Sequence, residues 1–353
     1  MLCRLQSCKH LKYNSYFVEY MNFEKLPPVE SAKSLLDIAF GKAREKGSQN
    51  KVEGNSWAEI LAKKESLKLD VIKDVLTSHL ERILSSFPQT EQLPNFYIEL
   101  MKLTLDFPEL KKSLGAVNWA VSRVKILHKD AVSKINRGRE VERTKTLSRE
   151  FYGRISSTLK QIDQNLKYLE ESRRIMKTYP DVKDMFTVCI YGFPNVGKTT
   201  LLNKLSSTKA KTAAYAFTTK SINAGYSTFD GVKVQVLDLP GTLARPEKMN
   251  NIELQAELAL DELAEVVIFV FDVSGASGYT LQKQIQLFKK IEARNPLVYV
   301  SKTDIPGGMP EKDFPYQYLS FEQLQEKLHA RAREAAKEAE EEAKAEQNPA
   351  GNL

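Results

Sequence analysis

Residues 186–199 read FTVCIYGFPNVGKT. A short apolar run rich in β-branched residues leads directly into Gly192-Phe193-Pro194-Asn195-Val196-Gly197-Lys198-Thr199, and that octet matches the phosphate-loop pattern in full. A helical stretch, TTLLNKLSS, follows. Strand, glycine-bearing loop and helix in that order let backbone N–H groups converge on phosphates at a helix N-terminus, where the dipole favours anions. Lys198 is expected to reach the β- and γ-phosphates and the Thr199 hydroxyl to hold magnesium. Gly192, Asn195, Val196, Gly197 and Thr200 complete the expected nucleotide-binding set of this loop. A glycine-rich turn that binds nothing is the bland alternative, and the flanking strand and helix speak against it.

Working outward, VKVQVLD (232–238), VVIFVFD (266–272) and LVYV (297–300) are further short β-branched runs, and they alternate with helical stretches. That alternation predicts a Ras-like P-loop domain over residues 180–328, a mostly parallel six-stranded sheet with flanking helices. Asp230-Gly231 reads as a hairpin turn, so one strand there should be antiparallel. Upstream, residues 21–179 read as helix after helix. SAKSLLDIAFGKAREK opens with a serine that can cap its helix, and later segments run from Asn55 to Ser86, Phe96 to Leu105, Ala116 to Ile135 and Arg143 to Lys177. Breaks are expected at Pro88, Pro94, Pro108, Gly115 and Arg137-Gly138-Arg139. The fold class is therefore an N-terminal all-α bundle followed by an α/β nucleotide-binding domain. Residues 1–20 stand apart as an extension. Residues 329–353, rich in Ala, Glu, Lys and Arg, read as a charged helix that frays into disorder.

Three further boxes decide which nucleotide is bound. Thr219, in AYAFTTK (214–220), is the expected switch threonine and a second magnesium contact. Asp238 ends a strand in Asp238-Leu239-Pro240-Gly241; it would hold magnesium, and the Gly241 N–H would sense the γ-phosphate. With Lys198, Thr219 and Gly241 form the expected catalytic set. In LVYVSKTDI (297–305), Asp304 can accept both guanine N1–H and its exocyclic amine, whereas adenine would leave that carboxylate unpaired. Lys302 can lay its aliphatic stem over the base. Ser301 stands where asparagine is usual, and a hydroxyl offers one donor in place of two, so weaker binding is expected with guanine preference intact. Ser320 is a candidate for the last base-contacting loop, although a helix cap explains it equally well. The implied cofactors are GTP or GDP with Mg²⁺. Thr242 occupies the position of the water-orienting glutamine of Ras-like enzymes, which predicts slow intrinsic hydrolysis. Asn195 offers a place for an activating K⁺.

The chain has 353 residues, 42% of them hydrophobic, and a formal charge of +7. Between Lys111 and Pro180, seventeen Lys/Arg face seven Asp/Glu, an excess of +10 that exceeds the charge of the whole chain. Lys134, Arg137, Arg139, Arg143, Lys145 and Arg149 lie in its densest part and are the expected contacts to an RNA phosphate backbone, with a solvated helix face as the bland reading. Three cysteines imply no disulfide framework. No run approaches the ~20 apolar residues of a membrane helix, so no membrane partner and a cytoplasmic location are expected.

Taken together, GFPNVGKTT, AYAFTTKSINAG, DLPGTLARPEKMNNIELQAELAL, the upstream QNLKYLEESRRI and FYIELMKLTLDFPELKKSLGAVNWA resemble the nucleolar GTP-binding protein (Nog) family of the Obg-related GTPases. The resemblance covers residues 21–325. It implies a factor that acts in assembly of the large ribosomal subunit, with ribosomal RNA and precursor particles as partners and a monomer off the ribosome. The chain ends soon after residue 325, which looks like a short, archaeal-type form. MNFEKLPPVESA, from Met21, resembles the start of family members, which implies that residues 1–20 are either an upstream extension or the product of a misplaced start codon. An RNA-binding scaffold that turns over little nucleotide is the competing expectation.

Overall fold

The computed structural model describes residues 23–49, 52–89, 93–137, 140–183, 185–206, 211–213, 222–240, 251–306 and 314–347. The first part of the chain forms α1 (Ala32–Gln49), α2 (Trp57–Ser86), α3 (Asn95–Thr104), α4 (Phe107–Arg137), α5 (Val141–Gln161) and α6 (Asp163–Met176). The chain divides into two compact units.

The helical unit comprises Phe23–Leu93 and Thr104–Lys177. Its central helix is α2, which touches α1, α4 and α5. Leu69, Ile72, Leu76, Leu80 and Ile83 recur on α2 every three or four residues and are buried, the spacing that lines up one helix face. On the helices α2 touches, Val117, Ala120 and Val124 of α4 and Phe151, Ile155 and Leu159 of α5 are buried as well. Two carboxylates of α6 fasten the chain entering α1: Asp163 accepts the Ala32 N–H at 3.0 Å and Glu170 accepts the Val29 N–H at 3.0 Å. The break expected at Pro108 falls just before it, at Leu105-Asp106 between α3 and α4, whereas the one expected at Gly115 does not occur and α4 runs through it. Pro108 lies in the first turn, where a missing N–H costs no helical bond, and Asp106 caps that turn by accepting the Glu109 N–H at 3.1 Å. Gly115 is exposed on the helix surface; its penalty of about 1 kcal/mol against alanine is small beside the buried face of the same helix.

Residues 94–103, expected within the helical bundle, belong instead to the other unit, with Thr178 onward. The Tyr97 hydroxyl of α3 donates to the Pro180 carbonyl at 2.8 Å and accepts the Val182 N–H at 2.9 Å. Asn95 donates to the Glu262 carboxylate at 2.8 Å.

The sheet unit contains β1 (Phe186–Tyr191), α7 (Lys198–Leu205), β2 (Lys211–Ala213), β3 (Ile222–Phe229), β4 (Val232–Asp238), α8 (Asn251–Glu262), β5 (Val266–Phe271), α9 (Leu281–Ile291), β6 (Leu297–Val300) and α10 (Phe321–Gln347). The strand order is β2-β3-β4-β1-β5-β6. β1 pairs in parallel with β4 and β5, and β5 with β6, whereas β3 runs antiparallel to both β2 and β4. The β3–β4 hairpin turns at Asp230 (φ 51°) and Gly231 (φ 86°), the paired positive φ values of a tight primed turn. β1 and β5 are buried along their whole length, as central parallel strands covered on both faces are.

The expected boundary at 328–329 is not a break. Leu324, Leu328 and Ala332 form one buried row across it, and α10 is clasped by the hairpin turn, where Asp230 pairs with His329 at 2.9 Å and with Arg333 at 3.1 Å. Among the described residues no helix is long and apolar enough to cross a membrane. Because β1, β4, β5 and β6 run in one direction, the residues at their C-terminal ends (Gly192, Asp238, Asp272 and Ser301) collect at one sheet edge, where open α/β sheets bind ligands.

Candidate nucleotide-binding site

The loop leaving β1 depends on its glycines. Gly192 has φ +146°, and a Cβ there would sit 2.8 Å from the Val270 carbonyl oxygen; only glycine fits. Gly197, at φ +94°, precedes α7, and a Cβ there would come within 3.3 Å of the Ser301 side chain. Asn195 is exposed at φ +63° and Val196 is fully buried. The loop is thus held by a buried valine and offers its exposed asparagine outward.

Lys198 opens α7 and is buried, its ammonium donating to the Phe193 carbonyl at 2.9 Å. Beside it the Thr199 hydroxyl donates to Asp238 Oδ2 at 2.5 Å. Asn223, opposite Asp238 in the β3–β4 register, donates to the same oxygen at 3.2 Å. Burial raises the Asp238 carboxyl above its ordinary range, opposed by the Lys198 charge and the hydrogen bonds from Thr199 and Asn223. A hydroxyl and a carboxylate side by side form the hard oxygen set that Mg²⁺ prefers, and the buried cation beside them suits a phosphate. The residues present therefore fit a magnesium–nucleotide pair. Thr200 lies exposed in the first turn of α7. Thr219, Gly241 and Thr242 lie outside the described residues, as does Arg139.

Ser301 is buried at the end of β6. Its hydroxyl donates to the Val196 carbonyl at 2.5 Å and also lies 3.2 Å from the Phe271 carbonyl, which the Ser301 N–H reaches at 2.9 Å. The loop after β6 is thus tied directly to the loop after β1 through a single proton. Lys302, at φ +57°, donates to Asp272 Oδ2 at 2.7 Å. Asp272 is buried and also accepts from the Ser274 N–H and hydroxyl and from the Ser277 N–H. Burial raises its carboxyl, but the bonds from Lys302, Ser274 and Ser277 outweigh that and hold it below the ordinary range. Gln284 of α9 clamps the Asp272 backbone from both sides, accepting its N–H at 2.9 Å and donating to its carbonyl at 2.8 Å. Asp304 is exposed two residues beyond Lys302. Ser320 is occupied by a capping box for α10: its hydroxyl accepts the Gln323 N–H at 3.2 Å, and Gln323 accepts the Ser320 N–H at 3.0 Å. Its side chain makes the helix cap that was the alternative reading of this residue.

Two family models match the chain: residues 23–183 match the NOG1 N-terminal helical domain, and residues 187–303 match a 50S ribosome-binding GTPase domain. An uncharacterized protein of Methanocaldococcus jannaschii is 34% identical over 80% of this chain and 81% of its own length. Nucleolar GTP-binding protein 1 of Drosophila melanogaster is 33% identical over 82% of this chain and 46% of its own, and that of Saccharomyces cerevisiae 31% over 81% and 45%. The chain belongs to the NOG1 family. It spans about four-fifths of the archaeal relative and under half the length of the nucleolar ones. Among solved structures, the G domain of the T. maritima FeoB iron transporter is 26% identical, covers 43% of this chain and 99% of that one, and has a TM-score of 0.34.

In this NOG1-family chain hydrogen bonds join Thr199 to Asp238 and Val196 to Ser301, and the Lys198 charge acts on Asp238. Two site residues escaped the sequence reading, Asn223 and Asp272. Asn223 lies within the family-like stretch AYAFTTKSINAG, and Asp272 ends the run VVIFVFD much as Asp238 ends VKVQVLD; that parallel was the available signal.

Of the expected RNA contacts, Lys145 and Arg149 share a face of α5 turned toward α1 and α2, while Lys134 of α4 lies by Glu150, Phe151 and Arg154 on another face of α5. Lys134 pairs with Asp130 and Lys145 with Glu142. Arg137 and Arg143 are exposed. Lys134 therefore lies on a different face from Lys145 and Arg149.

Proposed function

We propose that this chain is a Mg²⁺-dependent GTP-binding protein and slow GTPase that acts in assembly of the large ribosomal subunit. It docks on ribosomal RNA through its helical unit and leaves under nucleotide control. The observation that carries the nucleotide reading is the Lys198–Thr199–Asp238 cluster at the sheet edge, tied through Val196 to Ser301 of the base loop. Lys198 would neutralise the β- and γ-phosphates while the α7 N-terminus receives them. Magnesium, held by Thr199 and Asp238 with Thr219 as a further contact, would supply charge neutralisation across the phosphates. Asp304 would read the guanine edge, and the Gly241 N–H would sense the γ-phosphate. With Thr242 at the water-orienting position, hydrolysis is slow until a partner or a K⁺ ion near Asn195 completes the site. The family match to a ribosome-binding GTPase domain and the positive charge of the helical unit support a ribosomal partner and a cytoplasmic place of action.

The test is single-turnover GTP hydrolysis by the purified chain with and without large-subunit precursor particles, in potassium and in sodium buffer. Hydrolysis is expected to be slow alone, faster with particles and potassium, and lost in Lys198→Ala. Turnover indifferent to particles would leave a nucleotide-binding RNA scaffold as the better description.

A further inference from the structure

Away from the nucleotide site, the helical unit holds a cleft of about 440 Å³ between α1, α2 and α5, within the size range of small-molecule sites. Phe40, Ile72 and Tyr152 give it apolar and aromatic walls, with the Phe40 and Tyr152 rings edge to face at 5.6 Å. Positions 145, 148, 149 and 152 of α5 fall on one helix face and all line it.

Its charge is one-sided. Arg44, Lys68, Lys145 and Arg149 line the cleft against one carboxylate, Glu65. Glu65 is already engaged by Lys68 at 2.7 Å and approached by the Tyr152 hydroxyl at 3.4 Å, and Lys145 leans on Glu142. Among the described residues Arg44 and Arg149 form no ion pair at contact distance, although the Arg149 charge is felt by Glu142.

The cleft also holds a polar group that nothing in the fold satisfies. Ser148 is 3% exposed, and its hydroxyl has no hydrogen-bond partner. Helical hydroxyls ordinarily bond the carbonyl four residues back. Thr144 and Thr158 on the same helix do so, reaching the carbonyls of Glu140 at 3.2 Å and Arg154 at 2.9 Å. Ser148 departs from its neighbours and lines the cleft instead. An occupant must therefore be flat enough for the aromatic wall, polar at the edge that meets Ser148, and anionic where it meets the two arginines.

We propose that this cleft seats one nucleotide, its base against Tyr152 and Phe40 with an edge atom on the Ser148 hydroxyl, and its phosphate on Arg44 and Arg149. The proposal rests on the reading of the helical unit as an RNA-binding surface and deepens it: sequence-tolerant phosphate contacts would be joined by one unpaired base taken out of the strand. An aliphatic side chain from a protein partner would leave Ser148 unsatisfied and the arginines unpaired.

The experiment is fluorescence anisotropy of the full chain with labelled single-stranded rA and rU decamers and with a ten-base-pair RNA duplex. Wild type is expected to favour the single strands. Ser148→Ala should weaken them about fivefold, the loss of one hydrogen bond. Arg44→Gln should weaken them about tenfold, the loss of a charge-assisted one. Duplex affinity should change less than twofold in either variant. Ser148→Ala should melt no lower than wild type, because it removes a buried unpaired hydroxyl, and that keeps lost binding distinct from lost folding. Single-strand binding unchanged in Ser148→Ala, or a duplex weakened equally, would overturn the seat while leaving the RNA reading in place. No binding of any probe by wild type would remove the RNA reading and the seat together. Competition with 5′-AMP identifies the source: displacement of the rA decamer supports a seat open to free nucleotides, and no displacement supports one specific to a base within a strand.

Discussion

Ser301 stands where base-reading loops of this type carry asparagine, and its geometry shows what the exchange retains. The side chain is short, but Gly197 has no Cβ to hold the two loops apart. The hydroxyl therefore reaches the Val196 carbonyl at 2.5 Å. It has one proton to give, so it cannot serve the Phe271 carbonyl at the same time. Ser301→Ala removes the brace at about 1 kcal/mol, and GDP affinity measured by titration should fall about fivefold; an unchanged affinity would show the brace to be incidental. Asp304→Asn exchanges an acceptor for a donor at the guanine edge. In competition against fluorescent GDP, the variant should lose guanine nucleotides and gain xanthosine nucleotides, and ATP competing equally in wild type would sink the base-reading assignment. Motif residues such as Lys198, Thr199 and Asp238 were legible because each answers to a chemical need of the nucleotide. Asn223 and Asp272 answer to needs of the protein: one steadies the Asp238 oxygen, the other anchors Lys302. The role of such partners exists only once β3 lies against β4 and β6 against β5.

Among the elements, legibility followed burial. β1 and β5 are covered on both faces and read as unbroken apolar runs, whereas β3, INAGYSTF, is only partly buried and was signalled by its Asp230-Gly231 turn alone. Gly115 misleads for a related reason: local propensity is weak against the buried face that carries α4 through it. The fastening of α1 to α6 was also beyond pattern reading, because Glu170 meets Val29 across 141 residues of chain. Glu170 also holds Arg173 at 2.7 Å and Arg174 at 2.9 Å. The hydrogen bond from Arg173, with help from Val29 and Arg174 and against the push of burial, brings its carboxyl from 4.5 down to about 2. The folded state thus favours the ionised form, a contribution that solvent screening of this partly exposed cluster holds to about 1 kcal/mol. The sign follows: it is fully present above about pH 4.5 and is lost as the pH falls toward about 2. Glu170→Gln should therefore lower the unfolding midpoint of the helical unit at neutral pH. The gap to wild type should close between pH 4.5 and 2, and a gap independent of pH would contradict the assignment.

For the whole molecule, the question is whether the basic charge of the helical unit grips RNA or merely keeps the protein dissolved. Exposed pairs such as Lys134–Asp130 and Lys145–Glu142 are worth little each, so these lysines remain available to a phosphate backbone. Arg143 and Arg149 are exposed and make no ion pair among the described residues. Each phosphate contact releases condensed counterion and adds roughly 0.7 to 0.9 to the slope of log affinity against log salt. Changing Arg143, Lys145 and Arg149 together to glutamine should lower that slope by roughly 2 to 3 on a ribosomal RNA fragment. An unchanged slope would mean that the patch is a solvated face. Nucleotide control makes a second, separable demand on the same experiment. If the sheet unit governs release, affinity for precursor particles should differ between GDP and a non-hydrolysable GTP analogue, and that difference should vanish in Lys198→Ala, which can no longer register the phosphates. Equal affinity in both nucleotide states, with the salt slope still dependent on the arginines, would separate the two halves of the proposal: RNA binding would stand, and the nucleotide would be a structural passenger of a scaffold.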